Sequence, residues 1–139
     1  MKVSVLLLSL VALLCSCSSV HTRSNPKVDL SGLKSFYVVH RLTDDHHIDD
    51  TIVDYLRARG YEASKGPLTM MPQSVEAVIT YRDEWAWDFK SYLIQLDVDI
   101  HRAHNNQPLG QGSYRQPSIV TKTPAAVVEE ILKSLLPAR

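Results

Sequence analysis

The chain has 139 residues, 15 Lys and Arg against 15 Asp and Glu, and 45% hydrophobic residues. Its length fits one globular domain, and its high apolar content and balanced charge exclude an intrinsically disordered chain. The same balance gives no basic surface for nucleic acid, so we expect no nucleic-acid partner. Because both cysteines, Cys15 and Cys17, lie near the N-terminus, no disulfide framework or Cys-rich metal site is expected in the body.

Residues 1–16 have the features of an export signal. Lys2 provides a positive start, and a largely apolar stretch follows from Val3 to Leu14. A helix of that length would reach about 18 Å, which falls short of the roughly 30 Å hydrocarbon core of a bilayer. We therefore interpret the segment as a cleaved signal peptide rather than a membrane-spanning anchor.

The end of this segment reads Leu14-Cys15-Ser16-Cys17. It resembles a bacterial lipobox, in which Leu, two small residues and a cysteine mark the cleavage site. The resemblance implies cleavage before Cys17, acylation of Cys17 with chains such as palmitate, and, because Ser18 rather than Asp follows, transfer to the outer membrane. Cys15 departs from the small residue usual at its position. An ordinary secretory signal with incidental cysteines is the alternative.

The rest of the chain is predicted to hold a polar tether over residues 17–27 and a single domain over residues 28–139. Ser35 to His40 form a β-rich run, the first central strand candidate. Thr43-Asp44-Asp45 are typical of a helix start, and Gly60 is expected to end that helix. A short strand is predicted to begin at Tyr61.

Two alternating apolar runs next predict a β-hairpin with one buried face. A four-residue turn over residues 88–91 would pair Trp87 with Tyr92 and Trp85 with Ile94. Nearer the middle of the hairpin it would pair Tyr81 with Val98, Ile79 with Ile100 and Arg82 with Asp97. The register also places Asp83 among apolar residues, opposite Leu96. Because burying a lone carboxylate is costly, we expect a bulge near Asp83-Glu84 or exposure at that end of the sheet.

A turn at Asn105-Asn106 returns the chain into a further strand candidate through Leu109 to Tyr114. The last element is a helix with Thr123 as its cap and Pro124 in its first position. The order of elements predicts an α+β fold. We expect a two-layer sandwich, with an antiparallel or mixed sheet of about four strands and two helices on one face.

Three short runs in the body suggest a family. They are Asp29 to Phe36 (DLSGLKSF), Leu56 to Tyr61 (LRARGY) and Asp83 to Asp88 (DEWAWD) before Tyr92-Leu93. They resemble runs in small bacterial outer-membrane lipoproteins that carry a periplasmic α+β domain of unknown function, over residues 28–136. The family's Ala-Asp start of the central strand is Glu76-Ala77 here. The resemblance implies a periplasmic α+β domain and no known activity.

The stretch from Asp44 to Asp50 is the most metal-like part of the sequence. On a helix His46 and Asp50 would stand one turn apart and share a divalent ion, with His101 and His104 as further ligands if the fold brought them close. A solvated, acid-rich first helical turn is the alternative, and the one we favour, because a metal site needs three or more convergent ligands. We therefore expect neither a bound metal nor a cofactor.

Trp85 and Trp87 fall on one face of the predicted strand. They suit either an exposed aromatic surface for peptidoglycan, lipid or a protein partner, or a cover for the end of the core. Catalysis has little support, because the sequence has no phosphate-binding glycine loop and no Gly-x-Ser-x-Gly motif. If the domain were a hydrolase, its candidate catalytic residues would be Ser113, His101 and Asp99.

Taken together, these patterns predict a lipid-anchored outer-membrane protein that faces the periplasm. Its domain is expected to be a non-enzymatic structural or interaction module of the cell envelope, with an envelope protein or peptidoglycan as partner. The alternative is a ligand- or metal-binding module that uses the stretch from Asp44 to Asp50.

Overall fold

A computed structural model describes residues 19–116 and 122–137. Within those ranges the chain forms six strands and two α-helices. The elements in chain order are β1 (Ser19–Ser24), β2 (Ser35–Val39), α1 (Ile48–Ala58), β3 (Glu62–Gly66), β4 (Ala77–Asp88), β5 (Lys90–Arg102), β6 (Pro108–Arg115) and α2 (Pro124–Leu135). Short 3-10 helices occupy Leu30–Gly32 and Leu68–Met70. Neither α-helix in the described part of the chain is long and apolar enough to cross a membrane.

All six strands belong to one mixed sheet in the order β1-β6-β5-β4-β2-β3. The strands from β1 to β4 in that order are antiparallel neighbours, whereas β2 runs parallel to both β4 and β3. The predicted α+β class is therefore correct, and the sheet is mixed. It has six strands rather than about four. The short strand predicted near Tyr61 forms one edge as β3, and β1, which was not predicted, forms the other.

Both helices pack on the same face of the sheet. α1 contacts β2 and β3, α2 contacts β1, β5 and β6, and the helices contact each other. Their buried side chains join alternate strand residues in one core. Gly112 in β6 allows the closest approach, since a Cβ built there would clash with Ile131 Cγ2 in α2. Neither α1 nor α2 packs on the other sheet face.

Strand β1 corrects the predicted tether. Ser19–Ser24 pairs antiparallel with β6, from Ser19 opposite Arg115 to Ser24 opposite Gly110, and Val20 packs against the core. The run contains only one large apolar residue, so its own pattern is too weak to predict a strand. The free edge of β6 supplies the hydrogen-bonding partner.

The β4–β5 hairpin confirms the predicted register only in part. Tyr81 lies opposite Val98, Arg82 opposite Asp97 and Asp83 opposite Leu96, as expected. The register then shifts between Glu84 and Trp85, which confirms the expected bulge.

Beyond the bulge the predicted pairs are wrong. Trp85 lies opposite Leu93 and Trp87 opposite Ser91, because the turn is shorter than the four residues expected. Asp88 pairs with Lys90, and Phe89 alone makes the turn with a left-handed φ of 59°.

The helix ends were predicted with mixed success. Helix α1 begins at Ile48 rather than at Thr43–Asp45, because His47 adopts a left-handed conformation with φ of 57° just before it. Gly60, with φ of 81°, follows the helix end as expected. In α2 the Thr123 side chain accepts a hydrogen bond from the Ala126 N–H, which confirms the predicted cap.

Candidate functional site

The segment from His40 to His47 leads from β2 into α1 and carries most of the candidate site. Asp44 anchors it, since its carboxylate is only 7% exposed and accepts a hydrogen bond of 2.6 Å from the Tyr81 hydroxyl. Asp44 also accepts backbone N–H groups of His46 (3.1 Å) and Asp49 (3.2 Å). Asp44 therefore caps α1 from outside the helix, so the acidic run acts near the predicted helix start although the helix begins later.

Asp49, in the first turn of α1, is the second buried acid of the site, and it is 1% exposed. One of its oxygens, Oδ2, lies 2.7 Å from His40 Nδ1 and 3.0 Å from Lys65 Nζ. Lys65 also reaches Asp50 Oδ2 at 2.7 Å. The acids at the start of α1 are therefore tied to β3 and to the end of β2.

Burial and hydrogen bonding shift the pKa values of the two buried carboxyls in opposite directions. Burial alone raises the pKa of the Asp44 carboxyl, but the hydrogen bonds from Tyr81, Asp49 and His46 outweigh this effect and hold the pKa below its usual range. Burial likewise raises the pKa of the Asp49 carboxyl, but the hydrogen bonds from His40 and Lys65 outweigh this effect, so the pKa is lowered. Burial and the bond to Asp44 raise the pKa of the Tyr81 hydroxyl, which keeps it a donor. Both carboxylates stay ionised and paired.

The predicted metal pair, His46 and Asp50, is not brought together. His46 lies outside α1 and stacks on the Trp85 ring, with ring centroids 3.6 Å apart and planes at 10°. Among the described residues, potential ligand atoms of His47, Asp49 and Asp50 lie within 4.8 Å of one another. We call these three the Asp/His cluster. Because the ammonium group of Lys65 already bonds two of its three members, the arrangement serves ion pairing in the folded chain.

The further metal candidates lie elsewhere. His101 is on the opposite sheet face from Tyr81, in register with Val78. His104 is exposed, with its Nε2 3.0 Å from the carbonyl oxygen of Gln73. Neither histidine belongs to the Asp/His cluster.

The two tryptophans have different environments. Trp85 is half-buried, packs against the core and donates its Nε1–H to Asp83 Oδ2 at 2.6 Å. Trp87 is 74% exposed and lies 6.4 Å, between ring centroids, from Phe89, which is 94% exposed. Trp85 therefore has the position of a core cover, and Trp87 that of a surface residue.

Asp83 lies on the helix-covered face of the sheet and is paired there with Arg41, a residue that the sequence pattern does not indicate. Its side chain is 6% exposed, and its Oδ1 lies 2.5 Å from Arg41 Nη1. The Arg41 guanidinium also stands 5.8 Å from the centroid of the Tyr81 ring. Arg41 follows a strand whose register with β4 was not predicted, so its spacing from Asp83 gave no signal.

The helix-free face of the sheet has its own acid, Asp97, which is 8% exposed. Asp97 accepts hydrogen bonds from the Ser113 hydroxyl at 2.6 Å and from Gln95 Nε2 at 2.9 Å. Burial alone raises the pKa of Asp97, but these bonds and that of Arg82 outweigh it and lower the pKa. Ser113 therefore bonds to Asp97, whereas a hydrolase would need it beside His101.

A groove of about 390 Å³ opens at the other end of this face, where β1, β5 and β6 meet. It is lined among others by Arg23, Asp99, His101 and Gln111. In the described part of the chain, His101 Nδ1 is the one buried side-chain polar atom without a hydrogen-bond partner. Ser24 also lines the groove, so its lining combines charged, polar and apolar residues.

Residues 1–18, including the predicted signal peptide and Cys17, lie outside the described residues. The structure therefore describes the domain from the second residue after Cys17 onward. Its description begins directly in strand β1.

Comparisons with known proteins identify solved structures of similar fold. No family model and no curated protein matches the chain. Among solved structures, the PelC dodecamer from Paraburkholderia phytofirmans has a TM-score of 0.65 at 14% identity and covers 88% of this chain and 100% of its own. A single-substitution variant of that PelC gives the same TM-score at 17% identity.

A PDZ domain protein from Parabacteroides distasonis has a TM-score of 0.52 at 9% identity. The match covers 89% of this chain and 38% of that protein. At such identities the likeness to these proteins shows a shared α+β fold.

Proposed function

We propose that the protein is an outer-membrane lipoprotein, anchored through an acylated Cys17, whose domain faces the periplasm. The observation that carries the proposal is the apolar segment ending in Leu14-Cys15-Ser16-Cys17. A single acyl chain binds a membrane only marginally, whereas two or more anchor a protein stably. The three chains typical of such lipoproteins would therefore hold this domain permanently at the membrane.

The domain itself acts as a non-enzymatic structural or interaction module of the envelope. The buried polar side chains support this role, because Asp44, Asp49 and Asp97 are each engaged by hydrogen bonds from neighbouring residues. Such paired carboxylates stabilise a fold. An envelope protein or peptidoglycan would be the partner.

The likeness to PelC favours one particular partner, a second copy of this chain. PelC is described as a dodecamer, and the match covers the whole of its chain. The helix-free face of the sheet and the two edge strands, β1 and β3, are the surfaces through which copies would meet. Light scattering of the detergent-extracted protein tests this, because a monomeric mass would contradict it.

Acyl labelling and membrane fractionation test the anchor. The full chain is expressed in bacteria with a radiolabelled fatty acid, beside Cys17→Ala and the matched control Cys15→Ala. We expect label and membrane association in the wild type and in Cys15→Ala, and loss of both in Cys17→Ala. A labelled Cys17→Ala protein, or an unlabelled wild type, would contradict the proposal.

A further inference from the structure

Two of the exposed apolar side chains lie at the turn of the β4–β5 hairpin. Strands β2, β3 and β4 are parallel and run toward the same end of the sheet, but β4 continues to Asp88, well past its last pair with β2 at Ile79. Every large hydrophobic residue that is exposed in the described residues lies at the C-terminal end of one of these strands or within four residues after it. These are Leu42 (96% exposed), Leu68 (57%), Met70 (73%), Trp87 (74%) and Phe89 (94%). Trp87 and Phe89, whose ring centroids lie 6.4 Å apart, form the one pair among them that is shown to be in contact.

The β4–β5 hairpin projects from this end of the sheet. The pairing of β2 with β4 stops at Val38 opposite Ile79, and that of β6 with β5 stops at Arg115 opposite Gln95. Residues 85–94 therefore form a two-stranded arm without a described strand on either side, and we call them the hairpin arm. The base of the arm packs on the core through Leu93 and Trp85, whereas Trp87 and Phe89 at its tip are exposed.

The N-terminus of the domain emerges at the same end. Ser19 lies opposite Arg115, which lies opposite Gln95 at the base of the hairpin arm. Cys17 precedes Ser19 by two residues, which span at most about 7 Å. The arm rises over five residues, or about 17 Å. Its tip would therefore reach at least about 10 Å past Cys17, enough for the depth of about 5–10 Å at which apolar groups enter a bilayer interface.

We propose that Trp87 and Phe89 insert into the lipid surface to which Cys17 is anchored; this inference rests on the acylation of Cys17 proposed above. Trp suits this position, because its ring is apolar and its N–H finds partners at the headgroup level. The hairpin arm and its base carry Glu84, Asp88 and Lys90, which give no surplus of positive charge. The contact is therefore apolar and insensitive to salt, and it fixes the orientation of the domain.

Fluorescence quenching tests the insertion in the mature full-length protein. Wild type and Trp87→Phe are extracted from bacterial membranes and reconstituted into vesicles of phosphatidylethanolamine and phosphatidylglycerol with brominated acyl chains. The chain has two tryptophans, so the difference between the two proteins reports Trp87 while Trp85 stays intact. Because Trp87 is exposed, its replacement by Phe leaves the core unchanged.

We expect bromines near the headgroup to quench the wild type at least about twofold more strongly than Trp87→Phe, at low and at high salt alike. Equal quenching of the two proteins would overturn the inference, whether the tip is solvated or covered by a protein partner. The mass of the N-terminal peptide is measured on the same samples. An unacylated Cys17 would refute the proposed function, whereas an acylated Cys17 with equal quenching would refute the insertion alone.

Discussion

Replacing Arg41 by Met tests how the fold tolerates a carboxylate among apolar side chains. The change removes the guanidinium that lies 2.5 Å from Asp83 Oδ1 and keeps much of the aliphatic side chain. Removing one partner of a buried ion pair costs about 3–5 kcal/mol. Arg41 is 34% exposed and Trp85 still donates to Asp83. Both facts reduce the cost, so we expect Arg41→Met to lower the free energy of unfolding by about 2–3 kcal/mol.

Urea unfolding of residues 18–139, followed by circular dichroism, measures this cost. Fluorescence is less suitable, because Trp85 contacts the altered pair. A matched control is Arg82→Met, whose side chain is 71% exposed and lies 3.4 Å from Asp97, and we expect it to cost less than about 1 kcal/mol.

A double-mutant cycle with Asp83→Asn isolates the interaction. If the charge of Asp83 is the reason for the cost, Arg41→Met costs at least about 1 kcal/mol less in the chain that already carries Asp83→Asn. A coupling energy below about 0.5 kcal/mol would refute the ion-pair reasoning.

The packing, the charges and the Asp/His cluster each give one further prediction. Gly112→Ala should lower the free energy of unfolding in urea by about 1–3 kcal/mol, because α2 must move to make room for the new Cβ. The control Gly32→Ala should be neutral or slightly stabilising, because no atom lies within 4 Å of its new Cβ. Equal effects of the two substitutions would contradict the packing. The pKa values of Asp44 and Asp97 are lowered in the folded chain, so the unfolded chain binds protons more readily. Their stabilisation is complete above about pH 5 and is lost as the pH falls through the folded-state pKa values, so an unfolding free energy that stays constant from about pH 5 to 2 would contradict it. Zinc titrated calorimetrically should give no binding heat at micromolar protein, because Lys65 already pairs with the cluster; binding at that concentration would show that the metal displaces Lys65.

The sequence predicts those parts of the fold that depend on local patterns. The cap of α2 at Thr123 and the hairpin register as far as Glu84 follow from residue types and alternation alone. The bulge is predictable as well, because Asp83 breaks an apolar face.

The remaining features depend on partners distant in the chain. β1 is a strand because β6 offers it an edge, and Arg41 meets Asp83 only after β2 has docked beside β4. His46 lies outside the expected helix, because His47 adopts a left-handed conformation and the Asp44 side chain accepts a hydrogen bond from the first turn of α1. Such contacts have no periodicity within one segment, so a single sequence does not predict them.

The N-terminal peptide of the mature protein tests the central claim most directly. The full chain is isolated from bacterial membranes and digested, and the mass of its first peptide is determined. We expect a peptide that begins at Cys17 and carries the added mass of a diacylglyceryl group and an amide-linked fatty acid. A mature chain that begins at another residue, or an unmodified Cys17, would contradict the account.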